Sequence, residues 1–285
     1  MREERERDMA DPLAKRRQAY AAEVAQSVGV CDPRIEAAFA AVPREDFAGS
    51  PPWRVGSGVF GLNSTRDPTR LYEDVLVAID AERGINNGQP SLHAQAIDAL
   101  GLKEGETVVQ VGAGAGYYTA ILAELVGTGG RVIAYEVAPD IAKRAAANLA
   151  RYPQVEVRAH SGVEDLAEAH ALYVNAAASH PLRAWLDALK PGGRLVFPLQ
   201  AAGSSGAMLI VTRPERGEAW PARLMMGVVF IPCQGAQDPT MGRKLDDAFR
   251  RGGRGRVRSL RIGDAPSELD WVRGDGWALS IEPAG

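Results

Sequence analysis

A glycine-rich turn between a predicted strand and a predicted helix is the strongest chemical signal in this sequence. Residues 108–117 read VVQVGAGAGY, with glycines at 112, 114 and 116. Glycines let a ligand approach the backbone closely, and the following helix N-terminus offers unpaired N–H groups. A dinucleotide fingerprint, G-x-G-x-x-G, would need glycine where this chain has Tyr117. The tighter spacing suits the amino acid and ribose of S-adenosylmethionine, a ligand without a pyrophosphate.

An acidic residue follows this turn at the distance expected of a ribose ligand. Glu136 ends the next predicted strand, 24 residues after Gly112. A carboxylate at that place can accept hydrogen bonds from both ribose hydroxyls, and it would serve NAD equally well. The remaining alternative is a tight turn of an α/β domain that binds nothing. The strand, the glycines, the helix and the acid together favour a cofactor site.

The elements that must position this site alternate between strand and helix from residue 90 onward. The pattern predicts helices over 90–100, 116–126, 139–151 and 181–190, and strands over 107–111, 131–136, 155–159, 171–175 and 194–199. The intervening segment 190–193 (KPGG) is predicted to be a turn. Two more apolar runs, 207–212 and 222–231, suggest an antiparallel hairpin. Strands separated by helices of 10–15 residues are typical of a parallel, doubly wound sheet.

The chain on either side of this core is less regular. The charge-rich first 20 residues are predicted to form a frayed or solvated helix, and Asp32-Pro33 caps a second helix that Pro43 ends. Residues 48–70, rich in Gly, Pro, Ser and Thr, are predicted to be a long loop. Residues 241–261 hold eight Lys or Arg against two Asp, and the arginines of 250–261 are expected to be solvated. Trp271 and Trp277 indicate that the last segment packs on something.

Length and composition limit the class of protein. The 285 residues are 46% hydrophobic and 24% charged, as expected of one large or two modest globular domains. A net charge of −3 argues against a polyanion binder, so no nucleic-acid partner is expected. Cys31 and Cys233 permit one bridge but no disulfide framework or cysteine zinc site, and the histidines lack metal-ligand spacing. The charged N-terminus and the lack of long apolar runs predict a cytoplasmic protein with no membrane span.

Six blocks of the chain, between about residues 38 and 236, match one known pattern in order. They are 42–47 (VPREDF) with 71–74 (LYED), 88–90 (GQP), 111–119 (VGAGAGYYT), 175–178 (NAAA), 190–198 (KPGGRLVFP) and 230–232 (FIP). These blocks resemble the protein-L-isoaspartate O-methyltransferase family. The resemblance implies a Rossmann-like class I methyltransferase fold, whose sheet is seven-stranded, doubly wound and mostly parallel, with an antiparallel hairpin at one edge. It also implies an N-terminal helical cap over 1–100, a cofactor domain over 101–236 and a C-terminal extension over 237–285.

The family implies direct transfer of a methyl group from S-adenosylmethionine to the free α-carboxylate of an isoaspartyl residue. The acceptor is then a carboxylate on a peptide, a protein or a small molecule. A carboxylate with a pKa near 4 is ionised at neutral pH, so no strong general base is required. Catalysis should be mostly orientation and desolvation, and neither a Ser-His-Asp constellation nor a metal is expected.

The resemblance also assigns cofactor contacts to individual residues. They are Gly112, Ala113, Gly114, Gly116, Glu136, Val137, Ser161, Gly162, His93 and Asn175. The glycine loop would hold the methionine part, Glu136 the ribose, and Val137 the adenine. His93 matches a family position near the cofactor, although a helix-face histidine bonded to backbone is the plain alternative. Ser161 and Gln110 stand where the family usually has acidic residues.

The acceptor side departs from the family pattern at Gly88, where the family has a serine that contacts the substrate carboxylate. A hydrogen bond to a charged group is worth about 1.5–3 kcal/mol, or roughly 10–150-fold in rate if it forms only in the transition state. Asn86, Asn87 and Ser91 are candidates for a replacement donor, although Asn-Gly is also a common turn pair. We expect Gly88, Asn87 and Gln89 to form the acceptor side, and Gly88→Ser to raise activity on isoaspartyl peptide.

Two other functions stay open at this stage. Gly88 and the unmatched C-terminal extension favour a diverged methyltransferase that acts on a natural-product peptide or a small molecule. A non-catalytic protein that retains the cofactor fold is the other alternative. An NAD-dependent oxidoreductase is disfavoured by Tyr117. The sequence leaves the oligomeric state open.

Overall fold

The computed structural model of the protein describes residues 12–57 and 61–285. Three helices come first: α1 (Ala14–Val28), α2 (Pro33–Ala41) and α3 (Glu45–Ala48). Asp32 caps α2 by accepting a hydrogen bond from the Arg34 N–H, and α2 ends before Pro43, as predicted. The helix predicted over the first 20 residues forms from Ala14, but it is not solvated on every face, because Arg17 and Tyr20 are buried. Residues 1–11, which the same prediction covers, lie outside the described part of the chain.

A small antiparallel sheet follows these helices. Its strands are β1 (Trp53–Ser57), β2 (Gly61–Thr65), β3 (Leu76–Asp80) and β4 (Ile85–Asn86), in the order β2-β1-β3-β4. The loop predicted over 48–70 is therefore wrong, since β1 and β2 form a hairpin and a 3-10 turn spans Pro68–Tyr72. Trp53 and Val55 alternate inward along β1, and this burial outweighs the turn-rich composition.

Five parallel strands form the centre of the main sheet. They are β5 (Thr107–Val111), β6 (Arg131–Tyr135), β7 (Val155–Arg158), β8 (Ala169–Val174) and β9 (Leu189–Leu199), with helices α4 (Pro90–Leu100), α5 (Tyr117–Val126), α6 (Pro139–Asn148) and α7 (Arg183–Asp187). Their order is β9-β8-β5-β6-β7, so the strand order reverses between β5 and β8. Ligands bind at such a switch point, outside the carboxyl ends of the strands. The alternation predicted from the sequence is confirmed, although α7 is shorter than predicted.

An antiparallel hairpin completes the predicted seven strands. Its strands are β10 (Gly206–Thr212) and β11 (Ala219–Val228), which follow β9 at the edge of the parallel part. The turn predicted over 190–193 is wrong, because β9 runs through it as a bulge. Opposite β8, the register passes from Ala169↔Leu189 to Ala171↔Arg194. The Gly192 N–H donates to the Arg213 carbonyl and the Gly193 carbonyl accepts from the Arg213 N–H, and these hydrogen bonds hold the extra residues in the sheet.

The C-terminal segment extends the same sheet. It forms α8 (Pro239–Arg251), a 3-10 turn (Arg254–Arg256) and three strands, β12 (Ser259–Ile262), β13 (Asp270–Arg273) and β14 (Trp277–Ser280). These strands continue the order as β11-β12-β14-β13, so the sheet has ten strands in the described chain. Trp271 and Trp277 are buried, as predicted. The arginines of 250–261 are exposed or partly exposed, as expected, but the segment is not a solvated tail, since Val257 and Leu260 are fully buried.

Buried side chains cover both faces of this sheet. One core joins α1, α2, α4 and α5 to one face, and the other joins α7, α8 and the C-terminal strands to the opposite face. Both cysteines are free thiols, so the bridge that the sequence permits does not form. Within residues 12–57 and 61–285, no helix is long and apolar enough to cross a membrane. In the same residues, no group of three or more His, Cys, Asp or Glu is placed to hold a metal ion.

Candidate active site

A cleft of about 760 Å³ opens at the carboxyl edge of the parallel strands. Its walls come from the loop after β5, the segment before α4, the residue after β8, and the facing ends of β10 and β11. The structure brings together in it Asn87, Gly88, Gln89, His93, Gly112, Ala113, Gly114 and Asn175. The other assigned residues, Gly116, Glu136, Val137, Ser161 and Gly162, do not line this cleft.

The glycine loop has a backbone that side chains would obstruct. Gly112, Gly114 and Gly116 all have positive φ, at 79°, 56° and 96°. A Cβ on Gly114 would lie 2.9 Å from the Ile79 Cδ1, and one on Gly116 would lie 2.8 Å from the Leu149 Cδ1. The loop therefore leaves its backbone open at the cleft, where the N-terminus of α5 begins.

Glu136 lies behind this loop and is bound to it. Its Oε2 accepts a hydrogen bond from the Gly114 N–H at 2.8 Å, and its Oε1 accepts one from the Ala138 N–H at 3.0 Å. The side chain is buried, while the adjoining Val137 is 42% exposed. The carboxylate is therefore held at the end of β6, next to the loop that lines the cleft.

Ser161 and Gly162 follow β7 at the same edge of the sheet. A Cβ on Gly162 would lie 2.7 Å from the Val111 Cγ2, so the chain passes too close to β5 for a side chain there. The Trp185 indole donates a hydrogen bond to the Gly162 carbonyl at 2.8 Å, which fixes the segment. An adenine contact by Ser161 stays a prediction.

Asn175 offers a test of whether the cleft fits the predicted cofactor. Its side-chain oxygen is buried and has no hydrogen-bond partner among the described residues. It lies beside Gly112, whose Cβ would be 3.6 Å from the Asn175 Cβ. An ammonium group supplies the donors that such an oxygen lacks. The cleft therefore fits the amino-acid end of S-adenosylmethionine, and a contact of that group with Asn175 and the glycine loop stays a prediction.

His93 is the most constrained polar side chain of the cleft. Its ring stacks on Tyr118 with a centroid distance of 3.7 Å, and its Nδ1 lies 2.6 Å from the Tyr173 hydroxyl. Burial, followed by the nearby Arg44 cation, lowers the pKa of the imidazole to about 3. The ring is therefore neutral at physiological pH. Its Nε2 is buried and has no partner within the described chain.

The His93 ring lies where a side chain on residue 88 would have to be. Gly88 has φ +73°, and a Cβ there would lie only 2.1 Å from the His93 Nε2. The Asn86 side-chain oxygen accepts a hydrogen bond from the Gly88 N–H at 2.9 Å, and the Tyr118 hydroxyl donates to the Gly88 carbonyl at 3.5 Å. The imidazole nitrogen thus fills the room that a side chain at residue 88 would need.

The replacement-donor candidates Ser91 and Asn87, and Gln89 of the predicted acceptor side, are held by other contacts. The Ser91 hydroxyl donates to Asp74 at 2.7 Å, and the Gln89 amide donates to the same carboxylate at 2.7 Å. The Asn87 oxygen accepts from the Val77 N–H at 2.9 Å and from the Arg44 guanidinium at 3.4 Å. These contacts fix the segment before α4 rather than reach into the cleft, although the Asn87 amide nitrogen stays a candidate.

Sequence reasoning missed three residues around the cleft. Tyr173 contacts a histidine 80 positions earlier, and nothing in an apolar strand signals that contact. Arg44 is 1% exposed and donates hydrogen bonds to the Leu71, Glu73 and Val75 carbonyls. It lies in the block 42–47, where the resemblance gave it no role. Arg254 lines the cleft from the C-terminal extension, within a stretch expected to be solvated.

The fold and the cleft together define a class I S-adenosylmethionine-dependent methyltransferase. One solved protein-L-isoaspartate O-methyltransferase superposes with a TM-score of 0.65 at 23% identity, covering 82% of this chain and 69% of that one. A Plasmodium falciparum structure described as a protein-L-isoaspartate O-methyltransferase, in complex with S-adenosyl-L-homocysteine, superposes with a TM-score of 0.61 at 17% identity, covering 76% and 97%. Likenesses at this identity establish the fold.

The sequence establishes the family within that class. Residues 16–238 match the family described as Protein-L-isoaspartate(D-aspartate) O-methyltransferase (PCMT). The Protein-L-isoaspartate O-methyltransferase of Aeropyrum pernix is 35% identical over 232 residues, which are 79% of this chain and 82% of the relative. The chain belongs to the protein-L-isoaspartate O-methyltransferase family, and S-adenosylmethionine is its cofactor.

Proposed function

We propose that this enzyme methylates the α-carboxylate of isoaspartyl residues in peptides or proteins, with His93 in the role that the family gives to a serine at residue 88. The observation that carries the proposal is the buried, unpartnered Nε2 of His93 in the place of a residue-88 side chain. The cleft needs one donor at that place to hold an acceptor carboxylate, and this nitrogen lies there.

The hydrogen bond to Tyr173 supports a proton on the Nε2 of His93. Burial raises the pKa of the Tyr173 hydroxyl, so it keeps its hydrogen. In the described chain its partner is the His93 Nδ1, which therefore accepts that hydrogen. Because the imidazole is neutral, its own hydrogen is then on Nε2. The structure thereby supports a neutral donor next to Gly88.

Each residue of the site then has a simple task. Bound S-adenosylmethionine supplies an electrophilic methyl group, and the ionised acceptor carboxylate needs no base. The glycine loop, Glu136 and Asn175 bind and orient the cofactor. The His93 Nε2–H orients one acceptor oxygen, and the surrounding aromatic side chains exclude water from it.

Methyl transfer from labelled S-adenosylmethionine to a matched pair of isoaspartyl and aspartyl peptides tests the proposal. Base-labile label on the isoaspartyl peptide alone is expected. No label, with micromolar binding of S-adenosylhomocysteine by calorimetry, would instead mean an acceptor other than isoaspartate, such as a natural-product peptide or a small molecule. If neither transfer nor binding occurs, the protein is a non-catalytic relative.

Three variants test the role of His93. His93→Phe keeps the ring stack but removes the donor, and should lower kcat/KM about 10–150-fold with little change in S-adenosylhomocysteine affinity. His93→Gln keeps an N–H near the same place and should retain most activity. Tyr173→Phe leaves His93 free to place its hydrogen on either nitrogen, so an intermediate loss is expected. Equal activity of His93→Phe and the wild type would exclude His93 as the donor.

A further inference from the structure

The C-terminal extension places one arginine at the far end of the cleft. Arg254 begins the 3-10 turn Arg254–Arg256, beyond the family match over 16–238. It lines the cleft together with Ser205, Gly206 and Gly227, and it is exposed. A Cβ built on Gly227 would lie 3.6 Å from the Arg254 Nη1, so the guanidinium lies over a strand position that has no side chain.

Four neighbouring arginines of the extension have other partners, whereas the Arg256 side chain has none in the described chain. Arg250 pairs with Asp247, Arg251 donates to the Trp271 carbonyl at 3.0 Å, Arg258 to the Gly255 carbonyl at 2.8 Å, and Arg261 to Asp270 at 2.9 Å. The Arg254 side chain has neither an ion pair nor a hydrogen bond with any residue in 12–57 or 61–285. Its charge is therefore available to a ligand in the cleft.

The turn that carries Arg254 is firmly attached to the sheet. The Trp271 indole donates to the Gly252 carbonyl at 2.8 Å, and Phe249 packs edge-on against Trp271 at 5.1 Å between ring centroids. On the other side of the turn, Val257 is fully buried. The guanidinium is therefore presented by a fixed backbone rather than by a loose tail.

Arg254 lies some distance from the place of the reacting carboxylate. The His93 ring, beside which the proposed function puts that carboxylate, packs against Phe230 at 5.9 Å between ring centroids. Arg254 lies over Gly227, three residues before Phe230, which is a separation of about 10 Å along an extended chain. A group that Arg254 contacts therefore belongs to another residue of the acceptor than the methylated one.

The surface between these two ends suits an extended peptide. Val229 is 76% exposed and Ile231 is 43% exposed, and both line the same cleft as Phe230 and Arg254. An extended chain advances about 3.3 Å per residue, so a side chain two to four residues from the methylated one would reach the guanidinium. Exposed apolar groups beside one cation are typical of a surface that binds a peptide with an acidic residue.

We infer that Arg254 is a specificity residue, which selects acceptor peptides that carry a carboxylate two to four residues from the isoaspartyl residue. This inference rests on the proposed function for the identity of the methylated residue. It gives the C-terminal extension a direct part in substrate choice, through a charge-assisted hydrogen bond at the end of the cleft remote from the cofactor.

Paired peptides test the inference. The two peptides of a pair differ only at one position, which carries Glu in one and Gln in the other. That position lies two, three or four residues before or after isoaspartate. For each pair, kcat/KM is measured with wild type, Arg254→Gln and Arg256→Gln. Arg256 is the matched control, because it is exposed on the same turn but does not line the cleft. Wild type and Arg256→Gln should prefer Glu about two- to tenfold at one or more positions at low salt. Arg254→Gln should lose that preference, and high salt should weaken it in wild type.

The outcomes separate this inference from the proposed function. Isoaspartyl methylation without a Glu preference, or with a preference that survives in Arg254→Gln, would overturn the inference and leave the function intact. If no isoaspartyl peptide is methylated, the proposed function fails. Binding of the same peptide pairs, labelled with a fluorophore and measured by anisotropy, then decides the inference. A Glu preference in binding that depends on Arg254 would support it, and the absence of one would overturn it.

Discussion

Replacing Gly88 with serine sets the structure against the family resemblance. The resemblance predicts a gain of activity, because the variant restores the family's residue. The geometry predicts a loss, since the new Cβ would lie 2.1 Å from the His93 Nε2 and the backbone has φ +73°. The imidazole would have to leave the position in which Tyr173 and Tyr118 hold it.

The expected destabilisation follows from three contributions. A left-handed backbone costs a residue with a side chain about 1–2 kcal/mol. A lost hydrogen bond to Tyr173 costs about 0.5–1.5 kcal/mol, and a lost ring stack costs a similar amount. The free energy of unfolding should therefore fall by about 2–5 kcal/mol, and kcat/KM on isoaspartyl peptide should fall rather than rise.

Urea unfolding and labelled methyl transfer measure these two effects on the same preparations. Gly84→Ser is the matched control, because Gly84 has φ +70° and a Cβ there would meet nothing within 4 Å. The free energy of unfolding of Gly84→Ser should fall only by the backbone contribution of about 1–2 kcal/mol. The double variant Gly88→Ser with His93→Ala removes the clash, so its loss of stability should be smaller than the two single losses combined. A Gly88→Ser protein as stable as Gly84→Ser, with increased activity, would refute this reasoning.

Three further predictions concern the cofactor loop, the titration of His93 and the buried arginine. Gly114→Arg should abolish calorimetric binding of S-adenosylhomocysteine, because φ is +56° and a Cβ already meets Ile79 at 2.9 Å; unchanged affinity would contradict the site. The His93 pKa of about 3 lies below its ordinary 6.5, so the unfolded chain binds the proton first and acid favours unfolding between these values. Between pH 6.5 and 4.5 the free energy of unfolding, measured with urea, should therefore fall further in wild type than in His93→Gln. The difference should reach up to about 2.7 kcal/mol, at about 1.36 kcal/mol per pH unit, and parallel plots of this free energy against pH would contradict the prediction. Arg44→Met leaves one buried and two part-buried carbonyls without their donor and should lower the free energy of unfolding by about 2–4 kcal/mol in the same assay.

Much of the fold was predictable because local patterns and burial agree over the central strands and helices. The strand before Gly112, the glycine turn and the helix after it form as the sequence predicts. The predictions failed where tertiary contacts outweigh composition. The KPGG segment is held inside β9 by hydrogen bonds to Arg213, and the turn-rich 48–70 contains a hairpin that buries Trp53 and Val55.

The candidate site was predictable where the local course of the backbone calls for one type of residue. The glycine turn and the acid after β6 are of this kind, and the structure links them through the Gly114–Glu136 hydrogen bond. The donor beside Gly88 was not, because it depends on a contact between His93 and Tyr173 from distant parts of the chain. The sequence shows that residue 88 has no side chain, but it does not show that His93 fills that space.

The three C-terminal strands also determine which edge of the main sheet is left unpaired. Without them, the ten-residue strand β11 would present its backbone to any other chain, and long open edges promote aggregation. β12 pairs with β11 at Ala219–Pro221, and β13, only four residues long, becomes the outermost strand. Asp270 on β13 forms ion pairs with Arg261 and Arg273, and such charges discourage pairing with a foreign strand. The extension thus covers the Ala219–Pro221 end of β11 and leaves a short, charged strand outermost at this side of the sheet.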